Sequence, residues 1–254
     1  MPRSPAFHLS LGTLLSTSLG SYLRNFLPFT LLSLLLLSPW IALRWYIAMR
    51  LDAMQESPDR DAALGTSMLQ IAAFLLQTLL TYILTGALCF GVVQQLRGQR
   101  AGLATVLTQG LQTFTRVLGT GLLCGVRILL FSLLLWVPGI IESIKLYVAI
   151  PAAVMEGKSG GQAVARSMAL TDGSRWQIFS SVLLMGIVSA GLGALIVFIM
   201  LSGNGADVSD SLWFEVAIAL VVNSISATMM SVCYFMLRQG KENVVAKQIA
   251  AVFD

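Results

Sequence analysis

The chain has 254 residues, 56% of them hydrophobic and only 11% charged, with a mean hydropathy of +0.81. A soluble domain carries roughly 25% charged residues, so this composition cannot cover a water-facing surface and reads as an all-α, multi-pass membrane protein. The net charge of +4 does not point to nucleic acid, because the basic residues fall in the gaps between apolar runs.

The N-terminal tail holds Arg3 and the only histidine, His8. The core is therefore expected to lack a His-dependent triad, and no cleavable signal is expected. Residues 9–24 form a short amphipathic piece rich in small residues that ends in Arg24. Apolar runs follow at about 26–49, 68–96, 117–137, 140–155, 176–201 and 212–237. A hydrocarbon core of ~30 Å needs about 20 helical residues, so these are six predicted spans in a single integral membrane domain, 1–254. The fourth is short, and a thinned bilayer or covering neighbours would accommodate it. Pro138-Gly139 reads as a helix break that folds spans three and four into a tight hairpin.

Two more amphipathic pieces, at about 103–112 and 162–171, precede the third and fifth spans. Their apolar faces predict interfacial helices, and the Gly157–Gly161 stretch predicts a break ahead of the second. Each of the three pieces precedes an arginine at the start of a span (Arg24, Arg116, Arg175) and then two spans. The arrangement suggests three repeated helix-hairpin units, although any six-span chain has three such cytoplasmic positions. Small residues at every fourth position (Gly12, Ser16, Gly20; Gly121, Gly125; Gly186, Ala190, Ala194) read as seams for close helix packing.

Orientation follows from the connections. Arg24, Arg97, Arg100, Arg116, Lys158, Arg166, Arg175, Arg238, Lys241 and Lys247 fall on one side. Asp52, Glu56, Asp59, Asp61, Asp207 and Asp210 fall on the other, with Arg50 and Arg60. Both termini are therefore expected on the cytoplasmic side.

Gly157-Lys158-Ser159 is not a phosphate loop, because Ala152 stands where that motif needs glycine. Cys89, Cys124 and Cys233 lie within apolar runs and suggest buried thiols. No metal, cofactor or nucleotide is expected, and without an HExxH, a GxSxG or a close acidic pair no enzymatic chemistry is expected. The polar residues inside spans carry the functional signal, since charge in hydrocarbon is costly. They are Arg44, Arg127, Glu142, Lys145, Glu215 and Asn223. They read either as an outward-facing polar pocket or as interhelical pairs. Arg127 is expected to face the bundle interior near Asn223, with Glu215 as the second candidate partner.

Val137-Pro138-Gly139-Ile140, Pro151, Glu156 and Ala163-x-x-Arg166-Ser167-x-x-Leu170-Thr171-x-Gly173-x-Arg175-Trp176 form one ordered set. With Gln95-Leu96-Arg97-Gly98-Gln99-Arg100 upstream, the set resembles the membrane domain attached to bacterial glycerophosphodiester phosphodiesterases. It is also similar to YciC-type inner-membrane proteins. The resemblance implies six helices, a bacterial inner-membrane home and a role in membrane or envelope lipid homeostasis. It implies no phosphodiesterase activity, which belongs to a separate soluble domain, and makes Pro138, Gly139, Pro151, Ser167, Thr171 and Gly173 structural motif positions. Two functional readings stand. One is a non-enzymatic scaffold that contacts phospholipid headgroups, a membrane-protein partner or a second copy through Arg116, Arg166, Arg175 and Trp176. The other is a small transporter or channel using Arg127, Glu142, Lys145 and Glu215.

Overall fold

The computed structural model describes residues 10–56, 60–99, 102–202 and 208–253. Arg3, His8, Leu9, Asp59, Arg100 and Asp207 lie outside the described residues, as do the side chains of Asp52, Glu56, Arg60, Asp210 and Lys247. Every element described is an α-helix: α1 Leu11–Arg24, α2 Phe26–Glu56, α3 Arg60–Leu96, α4 Leu103–Gln112, α5 Phe114–Leu134, α6 Trp136–Lys145, α7 Ala149–Glu156, α8 Gly161–Thr171, α9 Arg175–Ser202 and α10 Val208–Phe253. Among the described residues, six segments are long and apolar enough to cross a membrane: Phe26–Leu51, Asp61–Leu96, Phe114–Leu134, Trp136–Glu156, Arg175–Leu195 and Leu212–Glu242.

The packed centre is made by α2, α3 and α10. Leu37 and Trp40 of α2, Leu84, Leu88 and Val92 of α3, and Val232, Tyr234 and Leu237 of α10 are all buried there. Lipid tails are as apolar as leucine, so close packing and interhelical hydrogen bonds hold such a centre together. Ser33 and Ser224 supply one, their hydroxyls 2.6 Å apart across α2 and α10. By contrast, α9 is attached through its first turns: Ile178 and Ser181 are buried, while Gly186, Ile187, Val188, Ala190 and Ala194 are exposed.

The hairpin between spans three and four turns at Leu135, not at Pro138-Gly139. Leu135 is extended (φ −164°, ψ 146°) and α6 already starts at Trp136. Pro138 therefore sits in the first helical turn, where its missing N–H has no intrahelical acceptor to lose. Gly139 serves the close approach of α5 and α6, because a Cβ there would collide with Ser132 Oγ and lie 3.0 Å from Ser132 Cα. Pro151 likewise occupies the first turn of α7. The fourth span is not one helix but two, α6 and α7, separated by the turn at 146–148.

The break ahead of α8 lies where the glycines sit. α7 stops at Glu156 and α8 resumes at Gly161, with Gly157 at φ +67° and Gly160 at φ +53°. Both values fall in the left-handed region that glycine adopts without strain.

The small-residue seams behave unevenly. Gly121 packs against the Tyr82 ring, where a Cβ would come within 2.8 Å, but Gly125 faces open space. Gly12 and Gly20 also meet nothing within 4 Å, because α1 buries its other side through Leu14, Ser18, Ser21 and Tyr22. The seam expected on α9 is exposed throughout.

The three short helices share one habit. α4 runs back along α3, with Val106 against Gly91 and Gly110 against Ala87. α8 packs on α7 and α6, and α1 packs on α10. Each short helix thus docks on the second span of the unit preceding its own, and α1 closes the circle onto the last span.

Candidate functional site at the basic end

The ends of α1, α3 and α7, the start of α5 and the stretch of α10 from Tyr234 to Glu242 gather at one end of the bundle. Asn25 Nδ2 donates to Gln95 Oε1 at 2.6 Å, Arg116 approaches Gly157, and Leu96 and Arg97 share a shallow cleft with Tyr234 and Arg238. Arg24, Arg97, Arg116, Lys158, Arg166, Arg238 and Lys241 all belong to this end.

Glu156, the last residue of α7, is the hub. Arg166 Nε donates to both of its oxygens, at 2.8 and 3.0 Å. Lys158 Nζ donates to Oε2 at 2.8 Å, and the Tyr234 hydroxyl to Oε1 at 3.0 Å. The network continues through Arg166 Nη2 to Glu242 Oε1 at 2.7 Å, and Arg238 Nε donates to both Glu242 oxygens at 3.0 Å. Burial works against the charged form of Arg166, but the hydrogen bonds and charge of Glu156, with Glu242 behind them, hold its guanidinium above its usual value. Lys241 Nζ meanwhile bonds the carbonyls of Ala169 and Asp172, at 2.6 and 2.9 Å, closing the C-terminal end of α8. Charge-assisted bonds of this kind are about twice as strong as neutral ones, so the network clamps α7, α8 and α10 together.

The ordered motif downstream builds the other half of the joint. The carbonyl of Lys145, at the open end of α6, accepts from Ser167 Oγ at 2.8 Å and Thr171 Oγ1 at 3.3 Å. Helix C-termini leave carbonyls without intrahelical partners, and these two hydroxyls cap one of them from the neighbouring helix. Gly173, at φ +78°, turns the chain between α8 and α9. Arg175 then pairs with Asp172 at 3.1 Å. Trp176 is 73% exposed, leaning on Phe179 with ring centroids 5.3 Å apart. Arg175, Trp176 and Phe179 line a groove of about 420 Å³ whose other wall is the apolar stripe Val137, Ile140, Ile141 and Ile144 of α6.

The polar residues inside the spans form two groups. Arg44 of α2 pairs with Glu215 of α10 at 2.5 Å. Arg127 of α5 lies 2.5 Å from Glu142 Oε1, while Lys145 donates to Oε2 at 3.2 Å. Glu142 is 1% exposed. Its Oε1 accepts no hydrogen bond of normal geometry, so Arg127 holds it by charge at short range. The expected partnership of Arg127 with Asn223 is not formed: Asn223 Nδ2 bonds the Ala219 carbonyl within its own helix, at 2.7 Å.

Of the four residues expected at a headgroup surface, Arg166 is engaged in the Glu156 network, whereas Arg175 and Trp176 share a groove. Arg116 is exposed and makes no ion pair among the described residues. Tyr234 and Glu242 join this network without being singled out in the sequence, and Arg238, read there only for orientation, joins it too. Their spacing at every fourth position is the available signal, since such residues share a helix face. Among the described residues, no group of histidine, cysteine and carboxylate side chains could hold a metal. No family model, curated protein or solved structure matches this chain.

Proposed function

We propose that this chain is a non-catalytic, phospholipid-contacting scaffold of the bacterial inner membrane, with both termini cytoplasmic. The observation that carries the reading is the α6–α9 groove. Its walls are apolar, its rim holds the exposed Trp176 and Arg175, the latter paired with Asp172 outside the groove, and no acidic residue lines it among the described residues. An arginine beside an amphipathic ring over an apolar channel suits a phosphate with an acyl chain below it. The gathering of arginines and lysines at one end supports a cytoplasmic placement for that end, and six crossings return both termini to the same side. The resemblance to phosphodiesterase-linked membrane domains and YciC-type proteins supports the inner-membrane home. The pairing of Arg44 with Glu215 and of Arg127 with Glu142 between helices, and of Lys145 with Glu142 within α6, engages in structural ion pairs the residues that the transporter reading needs in a pathway.

The test is native mass spectrometry of protein released from mild detergent. The wild type should carry phospholipid, and R175A/W176A should carry fewer lipids per chain while keeping the same elution volume. Equal lipid retention by the two proteins would refute the reading.

A further inference from the structure

A second, larger cavity lies away from that groove, where α1 passes into α2 beside the end of α3 and the start of α4. It is a cleft of about 550 Å³. Its polar wall is Arg24, Asn25, Gln95 and Gln99, and its floor includes Phe29 and Val106. Leu103 belongs to this cleft and also to an apolar groove of about 270 Å³ between Leu31, Leu32 and Leu35 of α2 and Ala104 and Leu107 of α4. The two cavities therefore meet at one residue, one polar and one apolar.

Their chemistry has a sign. No acidic residue lines either cavity among the described residues. Arg24 makes no ion pair among the described residues, although it is the only charged side chain described in the walls. The Gln95 oxygen is occupied by Asn25 at 2.6 Å, which leaves the Gln95 amide as a donor. The cleft thus offers a guanidinium and amide N–H groups with no competing carboxylate. From Leu31 to Leu35 the apolar groove descends four residues along α2, about 6 Å at 1.5 Å per residue.

We propose that this bipartite cavity binds one glycerophospholipid with an anionic headgroup. Its phosphate sits on Arg24 and the Gln95 amide, and one acyl chain passes Leu103 into the groove between α2 and α4. The assignment rests on the phospholipid reading above but uses a different surface, so the two can fail separately. A lipid held here bridges α2, α3 and α4.

The experiment uses full-length protein, delipidated in dodecyl maltoside and titrated with phosphatidylglycerol or phosphatidylcholine, with bound lipid counted by native mass spectrometry. R24E removes the cation and reverses its sign; A104W fills the apolar groove. R175A/W176A leaves this cavity intact. Phosphatidylglycerol should bind preferentially, and R24E should weaken that preference by about tenfold, the loss expected for a charge-assisted bond. A104W should reduce binding of both lipids at this site, and R175A/W176A should leave the phosphatidylglycerol preference unchanged. Unchanged binding in both R24E and A104W overturns the proposal. So does loss of the preference in R175A/W176A alone, which places the lipid in the other groove. Protection of the wild type against heating by glycerol 3-phosphate as strong as that by phosphatidylglycerol also overturns it, because the apolar arm then contributes nothing.

Discussion

Removing Glu142 should destabilise the bundle more than removing either of its cations, and removing Arg127 as well should restore part of the loss. Glu142 is the carboxylate that Arg127 and Lys145 share, and its side chain is 2% exposed, against 35% and 25% for its partners. Glu142→Leu leaves two cations facing each other with no counter-charge. Breaking a buried pair from one side costs about 3–5 kcal/mol, and the partial exposure of both cations places the expected loss near the lower bound, about 3 kcal/mol. Arg127→Leu leaves Glu142 still neutralised by Lys145 and should cost about 1–2 kcal/mol, the loss of one charge-assisted contact. In the double variant an apolar pair replaces an ionic one, which is often neutral or favourable. Only Lys145 is then unpaired, and its long stem lets the ammonium reach the helix end. The coupling should therefore be about 2 kcal/mol, roughly a 30-fold difference in the unfolding equilibrium. Tryptophan fluorescence during SDS unfolding in mixed micelles measures all four proteins. Single losses that simply add, to within about 0.5 kcal/mol, would refute the account of Glu142 as a shared counter-ion.

Four further outcomes follow from other contacts. Ser167→Ala should cost about 1–2 kcal/mol by uncapping the Lys145 carbonyl, and Ser167→Thr should recover part of it; the same SDS unfolding measures both. Gly139→Ala should cost about 1–3 kcal/mol through overpacking on Ser132, and Ser132→Gly in the same chain should relieve most of that, read as a shift in thermal midpoint. Glu156→Gln should loosen α8 from α10, seen as faster hydrogen exchange in the 161–171 amides; exchange unchanged from the wild type would show that the network is dispensable. A cysteine at position 159 should react with a membrane-impermeant maleimide only after the cells are permeabilised. One at position 57 should react in intact cells, and the three native cysteines, all buried, should add little background.

The spans and the short helices were legible because length and apolar content alone define a membrane-crossing run, and clustered glycines mark where one helix cannot continue. The α6–α7 turn was not, because Leu146, Tyr147 and Val148 contain no glycine or proline. It is held by tertiary contacts instead, with α8 supplying the hydroxyls that close α6. Pro138-Gly139 misled for a related reason: the pair signals a break in isolation, yet a helix start tolerates both. The partner of Arg127 was within reach of the sequence. Arg127 lies eight residues before Leu135 and Glu142 seven after, so a tight antiparallel turn at Leu135 sets them side by side. A turn at Pro138-Gly139, where the sequence suggests one, breaks that symmetry. The α1 seam shows the remaining limit. Small residues permit close approach, but periodicity does not say which face a neighbour will take, and on α1 it took the face with Leu14 and Tyr22.

The closing of the circle by α1 has a consequence for synthesis. Leu11–Arg24 packs on Val208–Phe253, so about 200 residues separate the two halves of one interface. At ~5–20 residues per second, the nascent chain waits roughly 10–40 s with Leu14 and Tyr22 uncovered. A lesion in α1 should therefore be felt when α10 docks rather than when the earlier spans insert.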